Sequence, residues 1–123
     1  MESPKDLNIL IVDDEEMICE MFVKWLSLRG HKVQYALDGK KAIRLAKQET
    51  FDFVFLDIVM PGIPTHEILE EIREISSSTK VVIITGKLIN SGLLNELKLK
   101  GASDFLQKPF KLDDVMKLLP DQD

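Results

Sequence analysis

Ile9-Leu10-Ile11-Val12-Asp13-Asp14-Glu15 joins a four-residue apolar run to three consecutive acidic residues. The run is too short for a helix and rich in β-branched side chains, so it reads as a buried strand, and the acids mark where that strand emerges. Phe53-Val54-Phe55-Leu56-Asp57 repeats the arrangement, an apolar run closed by an aspartate. Val81–Ile84 is a third run of this kind, and Lys32–Ala36 and Asp104–Gln107 are weaker strand candidates. Continuous rather than alternating hydrophobicity indicates parallel strands covered on both faces. Between the strands lie segments with helical spacing, roughly Glu15–Arg29, Lys40–Gln48, Thr65–Ile75, Leu88–Lys100 and Leu112–Leu119. Gly30 and Gly101 stand where two of these helices end, as glycine takes the left-handed conformation cheaply. The order is therefore βαβαβαβαβα. With right-handed crossovers it gives an α/β fold, a three-layer αβα sandwich on a five-stranded parallel sheet.

Composition narrows the function classes. A chain of 123 residues is short for two domains and buries roughly two thirds of its unfolded surface in one core. A net charge of −5 argues against direct nucleic-acid binding, which needs a cationic surface to displace phosphate counterions. No apolar run exceeds four residues, which excludes a helical membrane span. Cys19 is the only cysteine and cannot form an intrachain disulfide, and Met1–Asn8 has no signal-like apolar core. The expected compartment is the cytoplasm.

Open parallel sheets bind ligands at the carboxyl ends of their strands, where the strand order reverses. An order 2-1-3-4-5 would set strands one and three side by side and bring Asp13, Asp14 and Asp57 to one crevice. Such a cluster repels itself, so keeping all three ionised requires a cation; a hard divalent ion with oxygen ligands fits, Mg²⁺ above all. Zinc does not, since Cys19, His31 and His66 are isolated from one another. One aspartate at a strand end or helix start would mean little. Acids at two strand ends of one crevice carry the weight. The fourth strand ends in Thr85-Gly86 and the fifth runs into Lys108-Pro109-Phe110, adding a hydroxyl and an ammonium to the same edge. A carboxylate nucleophile, a divalent ion, an ammonium and a hydroxyl are the parts needed to move a phosphoryl group onto an aspartate.

These residues resemble the receiver domain of bacterial two-component response regulators, the chemotaxis regulator among them. The matching stretches are Ile11-Val12-Asp13-Asp14-Glu15, Asp57-Ile58-Val59-Met60-Pro61-Gly62, Ile83-Ile84-Thr85-Gly86 and Gly101-Ala102-Ser103-Asp104-Phe105-Leu106-Gln107-Lys108-Pro109-Phe110. The resemblance implies a flavodoxin-like sheet of order 2-1-3-4-5. It implies Asp57 as the phosphoacceptor for a histidine kinase or phosphotransfer protein. Asp14 would bind Mg²⁺ directly and Asp13 mostly through water, with Asp57 and the backbone carbonyl of Val59 as further ligands. Lys108 would meet a phosphate oxygen, and its bond to Pro109 is expected to be cis. Thr85 would move to the phosphate while Phe105 turns into the space it leaves, and the fourth-helix and fifth-strand face would report the change.

Several positions depart from the family. Phe105 lacks the hydroxyl of the tyrosine common there, so it either reports by packing alone or stays buried. Val59 is apolar where a polar side chain could hold a hydrolytic water, and Lys87 is long enough to lean over the site. Both are candidates for tuning phosphoryl lifetime, Lys87 being equally readable as a solvated lysine. Pro64-Thr65 replaces the usual Asp-Gly, with Thr65 expected to N-cap the third helix and His66 expected on the surface. The first helix has an apolar arc of roughly 180° against about 100° for a simple core stripe. Phe22, Trp25, Ile18 and Leu26 are expected inside. Met17 and Met21 form the rim, either as a docking edge for the kinase or as a stripe covered by the fifth helix. Lys40, Arg44 and Lys47 make a basic edge on the second helix and Glu67, Glu70, Glu71 and Glu74 an acidic one on the third; both read as solvated faces, and mutual neutralisation accounts for them if the two helices are neighbours.

The leading expectation is a phosphorylation-dependent switch that is a phosphoacceptor rather than a turnover enzyme, acting on a downstream partner or an output domain outside this sequence. The pattern spans Leu7 to Leu119, so residues 1–123 are expected to form one domain without a separate output module. A homodimer through the fourth-helix face is among the assemblies the family admits. Two rivals stay open: a receiver-like interaction module that works without phosphorylation, and an aspartyl phosphatase. The phosphatase would need an acid two residues after its nucleophile, where Val59 stands.

Overall fold

The structure, a computed structural model, describes residues 6–86 and 91–120. Five strands, β1 (Asn8–Val12), β2 (Lys32–Ala36), β3 (Phe53–Asp57), β4 (Lys80–Thr85) and β5 (Asp104–Gln107), alternate with α1 (Glu16–Ser27), α2 (Gly39–Gln48), α3 (Thr65–Ile75), α4 (Ser91–Leu99) and α5 (Leu112–Met116). The strands form one parallel sheet in the order β2-β1-β3-β4-β5. β1, β3 and β4 are its inner strands, and their near-continuous burial explains their unbroken apolar runs.

Side-chain alternation divides the core into two layers. Leu10, Val12, Val54, Leu56, Val81 and Ile83 pack with Ala42 and Ala46 of α2, Ile68, Leu69 and Ile72 of α3, and Leu97 of α4. Ile9, Ile11, Phe53, Phe55, Val82, Ile84 and Leu106 pack on the opposite face with Cys19, Phe22 and Leu26 of α1, Val115 of α5 and Leu119 beyond it. Phe22 centres the second layer, its ring 5.1 Å from Phe55 and 5.4 Å from Phe110. Gly30 and Gly101 follow α1 and α4 with φ of +93° and +113°, so each closes its helix through the left-handed region.

Several expectations change. Within α1, Phe22 and Leu26 are buried as expected and Ile18 and Trp25, half-buried, pack against the same layer, while Cys19 takes an inward position that its chemistry did not advertise. Thr65 does not cap α3: Pro64 is the N-cap, and the Thr65 hydroxyl instead approaches the carbonyl oxygens of Ile58 at 2.9 Å and Asp57 at 3.2 Å. A buried hydroxyl beside two carbonyl oxygens is satisfied by donating to them. α2 and α3 are neighbours, the condition for their basic and acidic edges to neutralise one another, and among the described residues the direct ion pair on the acidic edge joins Glu70 to Lys100 at 2.7 Å. α5 stops at Met116, three residues before Leu119, which remains buried. The proposed start of the fourth helix at Leu88 lies outside the described residues, as does Lys87.

Candidate functional site

Parallel register builds the site. Val12 of β1 lies level with Leu56 of β3, so the next residues, Asp13 and Asp57, leave the sheet side by side. Asp57 is level with Ile84, and Thr85 with Gln107, so Thr85 and Lys108 emerge one and two steps further along the same edge. Backbone hydrogen bonds from Ile58 to Ile84 (2.9 Å) and from Lys108 to Thr85 (2.8 Å) hold these exits in place.

Asp13 is fully buried and Asp57 is 5% exposed, while Asp14 faces solvent. Ligand oxygens of the three lie within 4.8 Å of one another. Asp13 Oδ1 accepts the Glu15 backbone N–H at 2.9 Å. Its Oδ2 finds no hydrogen-bond donor among the described residues and faces Lys108 Nζ at 3.5 Å. Burial pushes the Asp13 carboxyl up to about 6 and Asp57 beside it adds to the rise, while the Glu15 N–H and Lys108 oppose it. An orphaned, buried carboxylate oxygen among two further aspartates is a donor set for a hard divalent cation, and the residues present fit Mg²⁺.

Lys108 reaches three carboxylates: Glu15 Oε1 at 2.9 Å, Asp57 Oδ2 at 3.4 Å and Asp13 Oδ2 at 3.5 Å. Burial works to lower its ammonium pKa, but the Glu15 hydrogen bond and the charges of Asp13, Asp57 and Glu15 together outweigh it, so the pKa is raised. The Lys108–Pro109 bond is cis. Thr85 is buried at the same edge. Phe105 is half-buried and packs on the α2/α3 layer. Val59 donates its N–H to Asp57 Oδ1 at 3.2 Å and turns its side chain outward, 72% exposed.

Beside Lys108 lies an open groove of about 560 Å³ lined by Glu15, Ile18, Met21, Gly86, Pro109 and Phe110. Met21 is part of it. Met17, 82% exposed, is absent from the residues lining that groove. His66 is exposed. The Glu15–Lys108 contact and the approach of the Thr65 hydroxyl to the Asp57 and Ile58 carbonyls were not foreseen. Glu15 adjoins the aspartate pair, but only the folded chain brings it to a residue 93 positions away.

A parallel αβα sandwich with an aspartate cluster and a lysine at its carboxyl edge defines the class. The family model for the response regulator receiver domain matches residues 9–120, and the chain belongs to that family. Transcription factor SKN7 of Saccharomyces cerevisiae is 31% identical over 94% of this chain and 18% of its own length. Transcriptional regulatory protein DltR of Streptococcus agalactiae is 31% identical over 89% of this chain and 49% of its own. This chain thus spans at most about half the length of those two relatives. Among solved structures, chemotaxis protein CheY4 of Vibrio cholerae superposes with a TM-score of 0.85 at 28% identity, covering 93% of this chain and 96% of its own.

Proposed function

We propose that this chain is a phosphorylation-dependent signalling switch, one domain over residues 1–123, in which Asp57 accepts a phosphoryl group from a histidine kinase or phosphotransfer protein. The observation that carries the reading is the Lys108 ammonium held between Asp57 and Asp13 at the carboxyl edge of the sheet. An Asp57 oxygen attacks phosphorus as the bond from phosphorus to the donor's imidazole nitrogen breaks. The nitrogen leaves with the electron pair and takes up a proton, and Asp57 becomes an acyl phosphate. Lys108 neutralises charge on the transferring group, and the Thr85 hydroxyl donates to a phosphate oxygen. Asp13, Asp14, Asp57 and the Val59 carbonyl would hold Mg²⁺, which when bound supplies further charge neutralisation at the phosphoryl oxygens.

Thr85 and Phe105 carry the change outward, Phe105 by packing alone, towards a downstream protein or an output domain, with homodimerisation through the α4 face as one form of output. The groove beside Lys108 is the docking surface for the donor, with Met21 in its wall. The apolar Val59 side chain offers hydrolytic water no polar anchor and prolongs the acyl phosphate. Lys87, two residues after Thr85, is a second tuning candidate. The protein acts in the cytoplasm without binding nucleic acid directly, and it is not a turnover enzyme.

Incubation with acetyl phosphate and Mg²⁺ followed by intact mass measurement tests the reading. One phosphoryl adduct is expected, lost in Asp57→Asn and decaying faster in Val59→Asn. No adduct would overturn the switch in favour of an interaction module; rapid turnover of a phosphate ester would make the chain an enzyme.

A further inference from the structure

The shortest contact of the Lys108 ammonium is with neither aspartate of the acceptor pair but with Glu15, at 2.9 Å against 3.4 Å and 3.5 Å. Glu15 occupies the N-cap of α1, where a short polar side chain would ordinarily turn back to accept a backbone N–H of the first turn. Here the side chain makes no cap hydrogen bond. Its extra methylene carries the carboxylate past the helix end to Lys108. The Glu15 backbone N–H is meanwhile tied to Asp13 Oδ1 at 2.9 Å, so the side chain departs from a point fixed against the aspartate cluster itself.

An ammonium has three protons and no lone pair, so an oxygen at 2.9 Å commands one of them and biases where the other two point. An incoming phosphoryl group on Asp57 requires that same ammonium. Glu15 therefore competes with the phosphate for Lys108. We propose that Glu15 is a positioning residue that latches Lys108 in the unphosphorylated protein, slowing phosphorylation by small anionic donors until the contact is released. The proposal rests on Asp57 being the phosphoacceptor. Because the Glu15 side chain is 61% exposed and that of Lys108 27%, the pair is partly screened by water. The latch is therefore a modest brake, worth about threefold to fivefold in rate, within the range of exposed ion pairs.

Two substitutions separate a contact from mere charge. Glu15→Gln removes the charge and the strong hydrogen bond. Glu15→Asp keeps the charge next to the cluster but shortens the arm, and aspartate at an N-cap turns its carboxylate to the helix N–H groups instead. The readouts are the rate of phosphorylation by acetyl phosphate with Mg²⁺ and the affinity for beryllofluoride, a phosphoryl mimic, by calorimetry. Both variants are expected to be phosphorylated about threefold to fivefold faster than the parent protein and to bind beryllofluoride tighter by a similar factor. Unchanged or slower reaction in both variants overturns the latch. A faster Gln variant with an Asp variant like the parent also overturns it, since charge repulsion would then suffice. An absence of adduct in all three forms is a different failure: it overturns the phosphoacceptor reading and the latch with it.

Discussion

Asp13 shows what a single buried carboxylate contributes. Its side chain is wholly enclosed, and burial, reinforced by Asp57, pushes it from 3.8 up to about 6. In the metal-free protein the folded state therefore holds a proton that the unfolded chain has already lost between those values. Stability from this group is fully present below pH 3.8 and is lost as the pH rises through about 6. Urea unfolding in a chelator should show the stability of the parent protein falling relative to Asp13→Asn across that window. A difference that stays flat would mean that Asp13 ionises freely in the folded state. Cys19, buried beneath the same loop, donates its thiol to the Asp13 carbonyl at 3.3 Å, and burial first, then the Asp13 charge, pushes it up to about 12. It behaves as a small apolar side chain rather than a nucleophile. The aspartates and Lys108 were legible from residue type at strand ends. Cys19 and the Glu15 partner were not, because neither residue's type names the atom it will meet.

At the scale of the element, α1 has three duties along one helix. Its N-cap residue Glu15 reaches Lys108, Phe22 fills the core against Phe55 and Phe110, and Met21 lines the groove beside Lys108. The width of its apolar arc was readable in the sequence. Which methionine belonged to the groove was not, because that depends on how the helix is rotated against the sheet. If the groove receives the phosphoryl donor, Met21→Lys should slow transfer from the cognate kinase about tenfold, equivalent to roughly 1.4 kcal/mol of docking energy. The acetyl phosphate rate should not change. Equal loss with both donors would point to a damaged site, and no loss with the kinase would remove the groove from docking. β5 divides its duties by alternation: Leu106 belongs to the α1/α5 layer and Phe105 to the α2/α3 layer. Lys108 continues the Leu106 parity as the strand ends.

At the scale of the whole molecule, the carboxyl edge of the sheet joins strands that are distant in the chain. A divalent ion held by Asp13 and Asp14 after β1 and by Asp57 at the end of β3 would tie those strands together only in the folded state. Mg²⁺ at ten times its dissociation constant should then stabilise the protein by about 1.4 kcal/mol, a rise in unfolding temperature of about 5 °C. A chelator should reverse the rise, and Asp14→Asn should reduce it. Differential scanning calorimetry measures this; a Mg²⁺-independent midpoint in the parent protein would argue against the site.

The sequence by itself determined the alternation of strands and helices, the parallel character of the sheet and the identity of its acidic and basic strand ends. Those properties are local: apolar run length, β-branching, glycine at helix ends and the residue type that follows each strand. Strand order came through the resemblance of whole motifs and agrees with the order observed. Only the tertiary structure decided that Lys108 lies closer to Glu15 than to Asp57, that the Thr65 hydroxyl serves the loop after Asp57 rather than the start of its helix, and that Met21 rather than Met17 lines the groove. Each depends on a register, a helix rotation or a side-chain reach of an ångström or less. Distances of that size arise when the layers pack together, and residue type carries no record of them.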